Sequence, residues 1–203
     1  MDVIDALRTR RMVRSFADTP IDAAAAEQLF AEALRAPTAG NARGIAWVVL
    51  VGPAETNRYF DATQDAAWRA RSPRAAGLQR APAVGVCVAD PAAYISRYAI
   101  EDKASSGLGA GPDAWPIPYW IGDAAFSTMA ALLLAEEAGL AGSFLGAFRG
   151  DVALRAALEI PAGRVIFGAV LLGHADGKDH RSASLDRPGP SRAERLHRGR
   201  FGG

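Results

Sequence analysis

An α+β fold, with helices covering a sheet of about four strands, is what this sequence predicts, and three observations carry the prediction. Short apolar, β-branched runs at 45–51, 81–89 and 164–173 alternate with stretches of helical periodicity. One stretch, 121–138, is apolar on most of its faces and so reads as a central helix buried on several sides. The 203 residues, half of them apolar, show no internal repeat and no low-complexity linker, so residues 1–203 read as one domain with one core.

Taken in order, Val3, Ile4 and Leu7 form a short helical stripe that ends in arginines. Asp22 precedes "AAAAEQLFAEALR", where Leu29, Phe30, Ala33 and Leu34 recur at helical spacing, and Pro37 stops that helix. "IAWVVLV" (45–51) is a buried strand, and Pro53 opens a helix over 52–70. "APAVGVCVA" is a second buried strand. The Gly- and Pro-rich segment 102–120 is a long loop, a candidate lid, because structureless loops of this length in compact domains are usually functional or mobile. After the central helix, "GSFLGAF" is a short strand or turn, Asp151 starts a helix, and 164–173 is a strand. The remainder, 176–203, is poor in apolar residues and reads as an arm whose Leu185, Leu196 and Phe201 suit docking on a partner.

The charge balance excludes several function classes. With 23 basic and 22 acidic residues there is no global field to gather nucleic acid or an anionic membrane. The balance is uneven: residues 181–203 hold six basic and two acidic side chains, but Asp186 and Glu194 interrupt them and no aromatic stacking platform accompanies them. The longest apolar stretch, 16 residues from Trp120, contains Asp123 and is short of the roughly 20 needed for a membrane span. The N-terminus is too short and too charged for a secretory signal, and the single cysteine, Cys87, lies in an apolar run. A soluble protein in a reducing, cytoplasmic compartment is the expectation. His174, His180 and His197 have no metal-site spacing, so no metal is expected, and no G-x-S-x-G elbow occurs. "GLGAG" at 107–111 follows no strand and runs into prolines, so it is not a dinucleotide loop.

Three stretches invite a chemical reading. "RRMVRSF" places Arg10, Arg11 and Arg14 at the end of the first helix, where cations suit the helix C-terminus and forked guanidinium donors also match phosphate oxygens. "APTAGNARG" (36–44) is a loop of small residues that can bring backbone N–H groups and the Asn41 amide close to a planar ligand, or is an ordinary helix-to-strand turn. In "EEAGLAGSFLGAF", Gly139, Gly142 and Gly146 permit close backbone approach after the central helix.

In this order and spacing, the three stretches resemble the FMN-dependent nitroreductase family over nearly the whole chain. The resemblance implies a layered α+β sandwich, a central mixed β-sheet flanked by helices, and an intertwined homodimer with FMN at the subunit interface. It implies that Arg10 and Arg11 grip the FMN phosphate with help from the backbone of Met12, and that Arg14 sits near the N1/O2 edge of the flavin, where a cation stabilises the reduced anionic ring. Pro37, Thr38, Ala39 and Asn41 would line the flavin of the neighbouring subunit. Leu145 and Gly146 would lie near N5, and Arg187 would be the basic residue near the C-terminus that touches phosphate. Two departures stand out: Met12 replaces a family serine, and Arg43, Gly44 and Ile45 replace a common Gln-Pro-Trp.

The function so implied is hydride transfer from NAD(P)H through flavin N5 to an electron-poor nitroaromatic, quinone or enone. The flavin supplies the chemistry, so no residue is named as a catalytic acid or base. Trp115, Tyr119 and Trp120 are candidate substrate-stacking residues, or else aromatic rings that pack the 102–120 segment down. The alternatives are a flavin-binding scaffold or sensor without efficient turnover, and a specialised branch such as a biosynthetic dehydrogenase or reductive dehalogenase.

Overall fold

The computed structural model describes residues 1–180 and 182–202. Its sheet is built from β1 (Ile45–Val51), β2 (Ala83–Ala89), β3 (Ala141–Gly146) and β4 (Val165–Gly173), in the order β1-β2-β4-β3. Every neighbouring pair of strands is antiparallel, so the mixed sheet expected from the resemblance is corrected. The reason is in the connections. Gly52 N–H donates to Pro82 O at 2.8 Å, so the chain re-enters the sheet at the end where it left β1. Among the described residues the parallel element is a single bridge between Met12 and Gly142, where the opening segment runs beside β3.

Helices cover both faces of the sheet. On one face lie α3 (Pro53–Thr63), α5 (Ala75–Gln79) and α9 (Asp151–Leu158); on the other, α2 (Ala23–Ala33) and α8 (Tyr119–Glu137). Alternation along β2 explains the two cores. Val84, Val86 and Val88 join Phe16, Tyr59, Phe60 and Leu154 on one side, while Ala83 meets Phe30, Leu29 and Ala131 on the other. Gly85 is required here: a Cβ would come within 2.3 Å of the Phe30 ring, which occupies the notch the glycine leaves. Phe30 also packs on Trp47, ring centroids 4.8 Å apart.

The 52–70 segment is two helices instead of one, because Gln64 leaves helical geometry and the Asp65 side chain caps α4 (Ala66–Arg71) by accepting from Trp68 N–H at 2.7 Å. The 102–120 segment is not a free loop. It comes after α6 (Pro91–Tyr98), begins inside α7 (Glu101–Ala104), continues through two 3₁₀ turns, and is pinned by Trp115, which is 6% exposed and donates from its indole N–H to Leu108 O. Trp115 and Trp120 join Tyr94, Cys87 and Ala124 in a third cluster. An N-terminal signal for α6 stands in the sequence: Asp90 caps it and Pro91 opens it.

The helix α1 (Val3–Thr9) packs against α8. Beyond β4, Ala175 bridges back to Phe16, and the arm over 176–203 carries 3₁₀ turns at 183–186 and 193–195 with Leu185, Leu196 and Phe201 exposed. Arg181 and Gly203 of that arm lie outside the described residues. No helix among the described residues is long and apolar enough to cross a membrane.

Candidate functional site

The three arginines have three different settings. Arg11 turns back on its own helix: its Nη1 donates to the carbonyls of Arg8, Thr9 and Arg10 at 2.9, 2.9 and 3.1 Å, so it satisfies the exposed end of α1. The Arg14 guanidinium donates to Met12 O, while its backbone N–H donates to Asp179 Oδ2 at 2.9 Å. Arg10 is the open one. Its Nε is buried with no hydrogen-bond partner, and among the described residues no carboxylate forms an ion pair with Arg10, Arg11 or Arg14.

All three line a cleft of about 900 Å³ together with Met12 and Val13. Its opposite wall is the returning arm, with Asp179, His180, Ser182, Ser184 and Leu185. The sequence reading missed these residues, and only the adjacency of β4 to the opening segment could have revealed them. Met12 explains its departure from serine. Its sulfur accepts from Phe144 N–H at 3.4 Å, and Val13 N–H donates to Gly142 O at 3.0 Å, so residues 12–13 extend the sheet beside β3.

One wall of the cleft is anchored by Asp176, whose carboxylate takes the Ser15 hydroxyl at 2.8 Å, Arg80 at 2.7 Å and Lys178 N–H at 2.8 Å. The Lys178 N–H first, then Ser15 and Arg80, hold this carboxyl below the ordinary value of 3.8, against the opposing effect of burial. A folded pKa below the unfolded one adds stability that is complete above the ordinary carboxylate value and is lost as pH falls through the folded value. The urea midpoint of Asp176→Asn is therefore expected below that of the wild type at neutral pH, with the gap closing as pH falls under 3.8. A gap that stays constant across that range contradicts the linkage.

The other predicted residues occupy two further clefts. Leu145 and Gly146 line a cavity of about 210 Å³ with Tyr59, Gln64 and Trp68, and the ring of Phe148, 89% exposed, lies so close over Gly146 that a Cβ there would sit 2.6 Å from it. Pro37, Thr38 and Asn41 line a cleft of about 550 Å³ with Arg43, Asp123 and Ser127. Ala39 presents its N–H to Asp123 Oδ2 at 2.7 Å. No residue is shared among these three clefts. Within one chain the arginines and the 37–41 loop therefore do not meet.

Arg187 follows the 3₁₀ turn at 183–186, is exposed, and is not among the residues lining the arginine cleft. Of the candidate stacking residues, Tyr119 is exposed, whereas Trp115 and Trp120 belong to the buried aromatic cluster and pack the 102–120 segment down. His180 is on the arginine cleft, and the described residues contain no cluster of three or more His, Cys, Asp or Glu side chains suited to a metal.

The model of the nitroreductase family matches residues 7–174, more than four-fifths of the chain and all four strands. The chain belongs to the nitroreductase family. Solved structures share the nitroreductase fold at low identity. They include an FMN-dependent nitroreductase from Clostridium difficile R20291 (19% identity, 98% of this chain and 99% of that one, TM-score 0.67). The nitroreductase CinD from Lactococcus lactis, in complex with nicotinic acid, has 17% identity, 94% and 100% coverage and a TM-score of 0.70. B. megaterium NfrA2 has 18% identity, 99% and 76% coverage and a TM-score of 0.71. The family match ends at His174, so the arm that walls the arginine cleft lies beyond it.

Proposed function

We propose that the chain is an FMN-dependent oxidoreductase that takes hydride from NAD(P)H and passes it to an electron-poor acceptor of nitroaromatic, quinone or enone type. The observation that carries this reading is Arg10, a guanidinium with a buried Nε and no partner on the wall of a cleft of about 900 Å³. A buried unpaired donor is costly, and a phosphate oxygen would satisfy it. The residues present fit the cofactor's anionic end. Arg10 would hold the phosphate, Arg14 would bring positive charge toward the flavin edge, and Arg11 would keep α1 terminated so that Arg10 stays aimed. Bound FMN would supply the two-electron chemistry.

Leu145 and Gly146, at the end of β3, would meet the ring from the same chain, because the bridge between Met12 and Gly142 ties that strand to the arginines. Pro37, Thr38, Ala39 and Asn41 would come from a second copy, completing a site that one chain leaves in separate pieces. A homodimer is further supported by the exposure of Val3, Ile4 and Leu7 on α1 and of Phe126 on α8, large apolar side chains that a second copy would cover. Tyr119 would stack on the acceptor. The family membership and the FMN-dependent neighbour support the cofactor assignment.

The test is anaerobic mixing of FMN-loaded protein with NADPH, or NADH, followed at the flavin's visible absorbance. Rapid bleaching, reversed by a quinone, is the expected result. Flavin that is bound but never bleached overturns the oxidoreductase in favour of a scaffold, and a colourless protein that ignores added FMN overturns the cofactor.

A further inference from the structure

The loop that precedes β1 has an unusual backbone. Gly40, Asn41 and Arg43 have φ of 60°, 55° and 53°, all in the left-handed region. Asparagine tolerates that region and arginine does so at a cost, so such a loop persists only when its surroundings hold it. Its surroundings here are specific. On one side, Asp123 of α8, 3% exposed, accepts from Ala39 N–H at 2.7 Å and from the Tyr94 hydroxyl at 2.8 Å. On the other side, Arg97 Nε donates to Gly40 O at 2.8 Å, and the Arg97 fork is fixed by two 2.7 Å bonds to Asp102. The Tyr98 ring closes over Gly40, where a Cβ would come within 2.7 Å of it.

Asp123 is a costly choice at a buried position of α8, whose other two carboxylates, Glu136 and Glu137, stand at its C-terminal end. Among the described residues no arginine or lysine forms an ion pair with it, so two neutral donors carry the burden of a buried carboxylate. Burial first, and then the hydrogen bond and charge of Asp123, push the Tyr94 phenol well above its ordinary value. Tyr94 thus remains a donor across the physiological range. Asp123 also lines the same cleft as Pro37, Thr38 and Asn41.

We propose that Asp123, together with the Arg97–Asp102 pair, acts as a two-sided clamp of positioning residues that holds the Pro37–Asn41 loop in the shape required to meet the flavin of a neighbouring subunit. The clamp rests on the FMN reading above. It also assigns a role to the segment after β2: α6 and α7 brace the loop from outside while α8 braces it from beneath. The replaced residues join the same arrangement: Arg43 N–H donates to Thr38 Oγ1 at 3.0 Å, its Nε donates to Asn41 Oδ1 at 3.2 Å, and Gly44 leaves room for the Tyr94 ring, which a Cβ there would meet at 2.4 Å.

The test compares wild type with Asp123→Ala, Asp123→Asn, Arg97→Gln and Asp102→Asn. FMN dissociation constants, melting temperatures, and amide hydrogen exchange of the 36–44 peptide in flavin-free protein are measured for each. Loss of a charge-assisted hydrogen bond predicts that Asp123→Ala weakens FMN about tenfold to a hundredfold, whereas Asp123→Asn, which keeps one acceptor oxygen, recovers most of that loss. The Arg97 side chain is 25% exposed and that of Asp102 57%, so both Arg97→Gln and Asp102→Asn are expected to fold; each is expected to weaken FMN severalfold and to speed exchange of 36–44 with little change in melting temperature. Wild-type protein that takes up no FMN overturns the functional reading. Wild-type protein that binds FMN, with Arg97→Gln and Asp102→Asn unchanged in both affinity and exchange, overturns the clamp alone.

Discussion

Arg10→Ala is expected to weaken FMN binding by about 2 kcal/mol, roughly thirtyfold in Kd, while leaving the melting temperature within a degree or two. The same change at Arg11 is expected to behave in the opposite way. Arg11 spends its Nη1 on three carbonyls at the end of α1, so Arg11→Ala frays that helix and lowers stability, with a smaller loss of cofactor. The contrast matters because the sequence presents the two arginines as equals. Their difference follows from the buried, unpartnered Nε of Arg10 against the exposed, self-satisfied fork of Arg11. Isothermal titration of FMN into each variant, beside thermal melts, separates the two roles. Equal losses of affinity would show that Arg11 leaves the helix to grip phosphate, and an unchanged Arg10→Ala would remove the observation on which the function rests.

Phe30→Ala is expected to have the largest effect on stability, a loss of about 3–5 kcal/mol. The ring is fully buried, fills the notch over Gly85 and packs on Trp47, so its removal leaves a cavity between α2 and the sheet that rigid backbone on both sides cannot close. The loss should appear in urea unfolding as a lower midpoint at unchanged slope. Because α2 leads directly into the 37–41 loop, FMN affinity should fall with it. Gly85→Ala, which would force a Cβ to within 2.3 Å of the same ring, is expected to destabilise comparably. A Phe30→Ala protein as stable as wild type would mean that α2 does not depend on this contact.

Much of this molecule is legible in its chain order. The apolar runs predicted as strands at 45–51 and 81–89 become β1 and β2, Asp22 caps a helix through its side chain, Pro53 opens one by its ring geometry, and Asp151 begins one, its carboxylate pairing with Arg155 a turn further on. The family resemblance was legible as well, because the arginine, small-residue and glycine stretches lie in a recognisable order. What failed did so for identifiable causes. The helix predicted over 52–70 broke at Gln64 because Asp65 captured an N–H of the following turn, and the 102–120 segment is held down because two tryptophans found a core to enter. Hydrophobic period reports which face of a segment is buried, and nothing about which segment it will lie beside.

The sequence alone therefore determined the fold class, the positions of the main strands and helices and the family, since these follow from local period, capping chemistry and motif order. Tertiary structure alone decided that the sheet runs antiparallel throughout, that Asp179, His180, Ser182, Ser184 and Leu185 share a cleft with Arg10, and that Asp123 reaches across 84 positions to Ala39. The physical reason is that strand direction and long-range hydrogen bonds are settled by the packing of whole layers, where burial of one face leaves each polar group only the partners that happen to be carried there.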